Sequence, residues 1–550
     1  IFPLVKVLKT SLDDLGKTIG SHLINFSDYV IKFNLVKGFL NLTISDQYFI
    51  KELYRIDEIK NYGFIKNNLK SALIIVEFSS PNTNKPLHLG HIRNNLLGHS
   101  VSKILEANGK RVLRTQIIND RGIHICKSMI AWKLFSNNET PESIGVKGDQ
   151  FVGKYYVKYN EVFKKQVRNL IDKGKSEEEA MKSASIFIAA QKLLRLWESG
   201  DKSTRKLWKK MNNWVYDGFD MTYNNLGVFF DSLYYESDTY LLGKKIIEEG
   251  LSKDILFKKE DGSIWVDLTK EGLDEKLLLR SDGTSVYITQ DLGTASKRIK
   301  DFPELDGMVY TVGNEQDYHF KVLYFILKKL GYKWSDSIFH LSYGMVDLPD
   351  GKMKSREGNV IDADQLIHEM EFTAKKVSES MGKIDSMTGK EQLSLFKTIG
   401  MGALKYHILK VDPKKRILFD PEESIDFNGN TGPFIQYTFA RIKSLLRNFE
   451  NSEIEVKGLD KINYREKNIV KHLLLYPDII YQAGKLYSPA LIANYIYDLV
   501  KYYNTFYQNV SIIGTNDISL RNFRVKLSEK VSDVIFSGCS LLGIKVPEKM

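Results

Sequence analysis

Residues 30–36 alternate apolar and polar positions from Val30 through Phe33 and Leu35 to Val36, as a half-buried strand does. Gly38 punctuates the chain before a second strand-like run, Leu40–Ile44. Leu73–Phe78, apolar but for Glu77, has the composition of a parallel strand buried on both faces. It stops at the turn cluster Ser79-Ser80-Pro81-Asn82. A helical period then begins at His91, with Ile92, Leu96, Leu97, Val101, Ile104 and Leu105 on one face. Gly109 is placed to end that helix as a C′ residue, and Val112–Ile118 reads as the next strand. Strand, helix and strand in succession predict a βαβ unit.

Residues from about 125 to 270 break this alternation. They are rich in Lys, Glu, Leu and Trp, as between Met181 and Met211, and read as a helical insertion into the sheet. Strand signals return at Ser285–Ile288 and Met308–Gly313, a helix is expected from about Phe320 to Leu330, and Phe339–Leu341 leads to a turn at Asp350-Gly351-Lys352. From Gly429 the pattern is helical throughout. Ile435, Thr438, Ile442 and Leu445 share one face, and Leu491, Tyr495, Leu499, Tyr502 and Phe506 share another, following the Ser488-Pro489 N-cap and N1 pair. The predicted fold is α/β, a doubly wound parallel sheet with an insertion, ending in a helical bundle.

A chain of 550 residues suggests three to four domains. The pattern divides it into residues 1–70, residues 71–345 with the insertion, residues 346–428 and residues 429–550. Lys and Arg number 79 against 68 Asp and Glu, a net +11 that fits a chain meeting a polyanion. Cys126 and Cys539 are the only cysteines, which excludes a disulfide framework and a four-cysteine zinc site and predicts a reducing compartment. No apolar run approaches the ~18 residues of a membrane span.

Two stretches carry chemistry. The segment from Ser80 to His91 joins a buried strand to a helix N-terminus, where unpaired N–H groups and the positive helix end bind anions. His88 and His91 can donate to phosphate oxygens, and Gly90 leaves room for a flat base against the backbone. The second stretch, Gly351–Asn359, sets Lys352, Lys354 and Arg356 within five residues between glycines, suited to stabilising charge on a pyrophosphate leaving group.

Taken together and in this order, His88-Leu89-Gly90-His91 and Lys352-Met353-Lys354-Ser355-Arg356 resemble the HIGH and KMSKS signatures of class I aminoacyl-tRNA synthetases. Further motifs resemble the arginyl-tRNA synthetase version: Val76–Asn94, Asn119–Gly122, Tyr287–Asp291, Gly313–His319, Asn430–Tyr437 and the ending Val546–Met550. The resemblance spans the chain. It implies a Rossmann-type catalytic domain, a small N-terminal α/β domain that touches the tRNA elbow, and a C-terminal helical anticodon-binding domain. The small N-terminal domain looks shortened at its start, before Ile1.

The implied chemistry has two steps. The carboxylate of L-arginine attacks the α-phosphate of ATP to give arginyl-adenylate and pyrophosphate, and the 3′-terminal ribose of tRNA(Arg) then takes the arginyl group. By resemblance His88, His91, Lys85 and Lys352 are catalytic. Asn84, Gly90, Met345, Val346 and Lys354 join His88, His91 and Lys352 around ATP. Glu77, Ser80, Asn82, Tyr287, Asp291 and Gln316 hold arginine. A planar, permanently charged guanidinium needs carboxylates, so Asp291 and Glu77 are its candidates and those for the α-amino group, with the split open. Tyr437 and Met550 are the tRNA-binding candidates. Other aromatics of the bundle, Phe434, Tyr487, Tyr495, Tyr502 and Phe506, could stack anticodon bases or fill the core.

One position departs from the family: Ser355 stands where the signature loop has its second lysine. Many arginyl enzymes lack that lysine and carry one just ahead of the HIGH motif, where Lys85 stands here; either Lys354 or Lys85 takes the role. Mg²⁺ is expected to arrive with ATP, and no structural metal, no membrane association, a monomer and a cytoplasmic location are expected. A cysteinyl synthetase would need a thiol-binding zinc, and a non-catalytic tRNA-binding paralogue would have lost the histidines or the cationic loop.

Overall fold

The computed structural model describes residues 1–283, 285–347, 362–380, 387–447, 449 and 458–550. The alternating N-terminal run forms β1 (Val30–Val36), paired antiparallel with β2 (Phe39–Ile44). Lys37 at φ 49° and Gly38 at φ 79° make the two-residue turn, both left-handed as the twist of a tight hairpin demands. Phe33 and Leu35 lie over Gly20 and Gly16 of the helix Leu12–Phe26, where any larger residue would collide with them.

The central sheet is built, in chain order, from β3 (Leu73–Glu77), β4 (Arg111–Ile118) and β5 (Ser232–Tyr235). A separate antiparallel sheet follows: β6 (Leu256–Lys258), β7 (Ile264–Val266) and β8 (Lys276–Leu279). Then β9 (Leu305–Gly313) and β10 (Ile338–Tyr343) complete the central sheet. Its order is β10-β9-β3-β4-β5 and every pair is parallel. β3 lies in the middle with Ile75 and Val76 fully buried, which is why its sequence shows no alternation. Strand order reverses between β3 and β9. In such sheets the crevice beyond the carboxyl ends of the strands at the reversal is where ligands sit.

The crossover from β3 to β4 is the helix Leu89–Ala107. The one-faced reading of this helix is incomplete. Arg93, Asn95, His99, Ser100 and Ser102 are buried as well, because the sheet covers one side and the C-terminal bundle the other. Ser100 Oγ donates to the Leu541 carbonyl at 2.9 Å and Lys103 Nζ to that of Ser540 at 3.1 Å.

The insertion is helical through Ile123–Phe135, Gly148–Asp172, Ser185–Glu198 and Lys202–Leu226. Beyond Leu226 the sequence reading is corrected, since β5, β6 and β7 fall in the stretch read as helical. Strands of three or four residues are too short to display a period of two. A second correction concerns Ser285–Ile288. Only Ser285 makes a bridge, to Leu279, and Tyr287 opens the helix Tyr287–Asp301. Val286 and Ile288 are β-branched and mimic a strand, but Ile288, Leu292 and Ala295 are buried at helical spacing and decide the outcome.

The C-terminal helices Gly432–Arg447, Tyr464–Leu474, Tyr476–Leu486, Pro489–Asn509 and Ile518–Leu541 pack as a bundle. Tyr495, Leu499 and Phe506 face inward, but Tyr502 is 45% exposed and Tyr503 fills the core instead. Steps of three and four are both compatible with one helical face, so the pattern alone does not choose between these neighbours.

Candidate active site

At the switch point the chain leaves β3 through a strained turn. Ser79 sits at φ 61° although it is not glycine. It is held there by its N–H, which donates to Asn94 Oδ1 at 2.6 Å, and by its hydroxyl, 2.7 Å from the Tyr223 hydroxyl. Asn94 in turn donates to the Thr311 carbonyl at 2.6 Å and to the Tyr343 hydroxyl at 3.1 Å, so β3, β9 and β10 converge on this turn. The loop beyond is stitched to the end of β4. Thr83 N–H donates to the Asn119 carbonyl at 3.1 Å, Asn119 N–H to Pro81 at 2.9 Å, and Asn119 Nδ2 to Ser80 at 3.1 Å. Ser80 and Asn82 are thereby presented, exposed, at the crevice, while Asn84 is buried with an Oδ1 that has no protein partner.

His88 is the N-cap of the crossover helix, so the helix begins two residues before the periodic pattern does. Its Nδ1 accepts the Gly90 N–H at 3.2 Å, and its own N–H donates to His91 Nδ1 at 3.2 Å. The two imidazoles form a reciprocal capping box with ring centroids 4.0 Å apart. Burial, with the charge of Lys85 second, lowers the His88 imidazole to about 4. Burial, then His88 and Lys85, holds His91 well below its ordinary value. Both rings are therefore neutral at pH 7. A neutral ring whose Nδ1 accepts must carry its proton on Nε2. Each histidine thus offers an N–H donor on the side away from its own cap. A Cβ at Gly90 would lie 3.0 Å from His88 Cε1, so glycine is needed there to seat the first ring.

Beside His88 lies a cavity of about 280 Å³ lined by Lys85, Gln150, Lys154, Tyr156 and Asp362 among others. Gly153 of the insertion lets the helix Gly148–Asp172 approach the Lys85-Pro86 backbone.

Met345 and Val346 follow β10. β11 (Val346–Asp347) pairs parallel with β12 (Ile417–Leu418). Arg93, wholly buried, secures this region by donating to the carbonyls of Met345 at 3.1 Å, Pro413 at 2.9 Å and Lys415 at 2.8 Å. Burial lowers its guanidinium to about 10, still charged at pH 7. Lys352 and Lys354 lie outside the described residues. Asp362, just after that segment, forms an antiparallel bridge with His88.

The carboxylates gather on the other side of the turn. Asp291 Oδ2 is 2.6 Å from His319 Nε2. Tyr287, one turn earlier on the same helix, is 82% exposed, and Gln316 is exposed in the short helix Asn314–Gln316 at the end of β9. Glu77 is buried and ion-paired with Arg298 of the Tyr287–Asp301 helix, so its carboxylate already has a guanidinium partner from the protein. Burial raises the Glu77 carboxyl and Arg298 opposes it. On the other partner burial works to lower Arg298, but Glu77 overrides it and the guanidinium is held above its ordinary value.

Sequence reading missed Glu236, which directly follows β5 on the same edge of the sheet. Burial raises it to about 7, with Asp120 and Asp291 adding to the rise and Arg121 and Gln290 opposing. A four-residue strand gave no signal for it. It missed Arg298 too, an ordinary helical cation until folding sets it against Glu77. The His319 contact could have been suspected, since it closes the Gly313–His319 motif.

Among the described residues no group of three or more His, Cys, Asp or Glu side chains is arranged to hold a metal ion. No helix there is long and apolar enough to cross a membrane.

In the bundle Tyr437 and Met550 line one cleft of about 400 Å³ with Arg441, Arg447, Tyr507 and Lys549. The Arg441 guanidinium lies 4.7 Å from the Tyr437 ring centroid and 5.1 Å from that of Tyr507, and donates to Asn504 Oδ1 at 2.5 Å. Aromatic faces among cations suit an unstacked base. Tyr495 and Phe506 are core, and Tyr487 stacks on Phe339 of β10 with centroids 4.1 Å apart.

The chain is similar to known proteins along its whole length. Residues 60–420 match the model of the class I (R) tRNA synthetase catalytic domain, and residues 435–550 match the DALR anticodon binding domain. The arginine–tRNA ligase of Flavobacterium psychrophilum is 57% identical over 560 aligned positions that cover 100% of this chain and 93% of the relative. That of Parabacteroides distasonis is 52% identical at the same coverage. The fold matches the arginyl-tRNA synthetase of Thermus thermophilus with a TM-score of 0.82 at 22% identity, over 100% of this chain and 93% of that one. It matches that of Plasmodium falciparum with a TM-score of 0.75 at 20% identity, over 97% and 89%.

Proposed function

The chain belongs to the arginyl-tRNA synthetases, and from that premise we propose how its own residues perform the reaction. It is an arginine–tRNA ligase: L-arginine and ATP give arginyl-adenylate and pyrophosphate, and arginine then passes to the 3′-terminal ribose of tRNA(Arg).

The observation that carries the assignment of roles is the reciprocal cap of His88 and His91, which leaves two Nε2–H donors at a helix N-terminus on the switch-point edge of the sheet. ATP is read here, with its phosphates against these donors. Asn84 supplies a buried acceptor, and the Met345-Val346 backbone, fixed by Arg93, borders the nucleotide. An oxygen of the arginine carboxylate forms a bond to the α-phosphorus as the bond to the bridging oxygen breaks, and pyrophosphate leaves; Mg²⁺ accompanying ATP would supply further charge neutralisation. Lys85 and Lys352 neutralise the growing charge, and positioning does the rest. In the second step a ribose hydroxyl attacks the carbonyl carbon of the adenylate and AMP leaves.

Arginine is read on the opposite side, with Asp291 and Glu236 facing its guanidinium and Ser80, Asn82, Gln316 and Tyr287 around its remaining polar groups. Glu77 serves by ordering the Tyr287–Asp301 helix through Arg298. Residues 1–70 are assigned to the tRNA elbow and the Tyr437–Met550 cleft to an anticodon base. The chain is read as a monomer that carries both the catalytic and the anticodon-binding domain. Two buried free cysteines support a reducing, cytoplasmic setting.

The deciding experiment is ATP–pyrophosphate exchange with arginine, lysine and canavanine, with and without tRNA(Arg). Exchange that depends on arginine supports the reading. Exchange indifferent to arginine, or none even with tRNA present, rejects it.

A further inference from the structure

We propose that Lys147 and Gln150 of the helical insertion are positioning residues of the nucleotide site, holding the Asp362–Asp364 segment so that its backbone braces Leu87 and His88. The inference rests on the reading that phosphates bind at His88.

The path is continuous. Lys147 Nζ donates to Asp149 Oδ2 at 3.1 Å, to Thr222 Oγ1 at 2.5 Å and to Asp364, so all three ammonium protons have acceptors. Gln150 Nε2 donates to Asp362 Oδ2 at 2.9 Å, and Asp362 Oδ1 accepts the Asp364 N–H at 2.8 Å. From this segment Ala363 N–H donates to the Leu87 carbonyl at 2.9 Å, and Asp362 bridges His88 antiparallel. Two helices of the insertion therefore grip Asp362 and the start of the helix Ala363–Ser380, which lie against the histidine loop.

The grip is built at close quarters. A Cβ at Gly218 would lie 2.5 Å from Asp149 Oδ1, so only glycine lets the helix Lys202–Leu226 press on that carboxylate and bring Thr222, one turn later, to Lys147. Asp149 is fully buried and Asp364 nearly so. Charges buried this way hold one geometry, unlike exposed pairs that sample many. His88 can aim Nε2–H at a phosphate only while its backbone is fixed. None of the hydrogen bonds of this path goes to Asp291, Glu236 or Gln316.

The test uses the full chain. Wild type must first show arginine-dependent exchange; its failure would reject the underlying reading, not the brace. Lys147→Met and Gln150→Leu are then assayed for the KM of ATP and of arginine, with circular dichroism to confirm folding. The expected result is an ATP KM raised about tenfold with the arginine KM within twofold of wild type, the scale of a modest misplacement of a reacting group. An ATP KM within twofold of wild type in a folded variant, or an arginine KM that rises in step, overturns the proposal. Should Lys147→Met not fold, Gln150→Leu, which removes one half-exposed amide, decides by the same criterion.

Discussion

Glu77 closes the central strand and Arg298 reaches it from the second turn after Asp291, so a buried ion pair welds the strand that starts the histidine loop to the helix that carries Asp291. The Arg298 guanidinium also lies 5.0 Å from the Tyr234 ring centroid and 5.6 Å from that of Tyr310. Removing one partner strands the other charge in the interior. Arg298→Met should destabilise the fold by about 3–5 kcal/mol. It should also raise the arginine KM, because Asp291 loses its register. Urea unfolding and exchange kinetics check both, and an unchanged denaturation midpoint contradicts the pair's structural role.

With Glu236 raised to about 7 and proposed to face the guanidinium, arginine binding should depend on pH. Below that value the carboxyl is protonated and must release its proton to meet a guanidinium. Affinity should therefore strengthen as pH rises and level off above it, with the arginine KM falling about tenfold between pH 6 and 8. Glu236→Gln should flatten the profile at a high KM. A KM that climbs with pH has the wrong sign for this group.

The histidines predict the reverse of the usual imidazole behaviour. His88 at about 4 and His91 held low stay neutral over the working range. At saturating arginine, exchange should show no acidic limb near pH 6.5. His88→Ala removes both a phosphate donor and the helix cap. It should lower kcat/KM for ATP by about 100- to 1,000-fold and stability by about 1 kcal/mol.

Lys85 is proposed, ahead of Lys354, to take the role that Ser355 cannot fill. Lys85→Ala should slow exchange by about 30- to 1,000-fold, equivalent to losing ~2–4 kcal/mol of charge stabilisation. A loss of only a few-fold would return the role to Lys354.

The βαβ unit, the histidine loop between strand and helix, and the terminal bundle were legible because each is a local pattern long enough to repeat. Glu236, Arg298 and Lys147 were not. Each looks like a surface charge until folding brings a partner from 100 or more positions away, as Glu77 is brought to Arg298. Tyr287 shows the opposite failure: β-branched neighbours suggested a strand, and burial of Ile288 and Leu292 made a helix. Arg93 stood within a quoted motif, yet its task of bonding three carbonyls on segments 252 to 322 residues away exists only in three dimensions.

The helix Leu89–Ala107 is enclosed by the sheet on one side and the bundle on the other, with the paired imidazoles at its tip. It acts as an axle through the molecule, ~28 Å long at 1.5 Å per residue. An axle seated along its whole length cannot tilt at one end alone. Tolerances at its far seat, where Ser100 and Lys103 meet Leu541 and Ser540, are therefore set by the aim of two rings that neither residue touches.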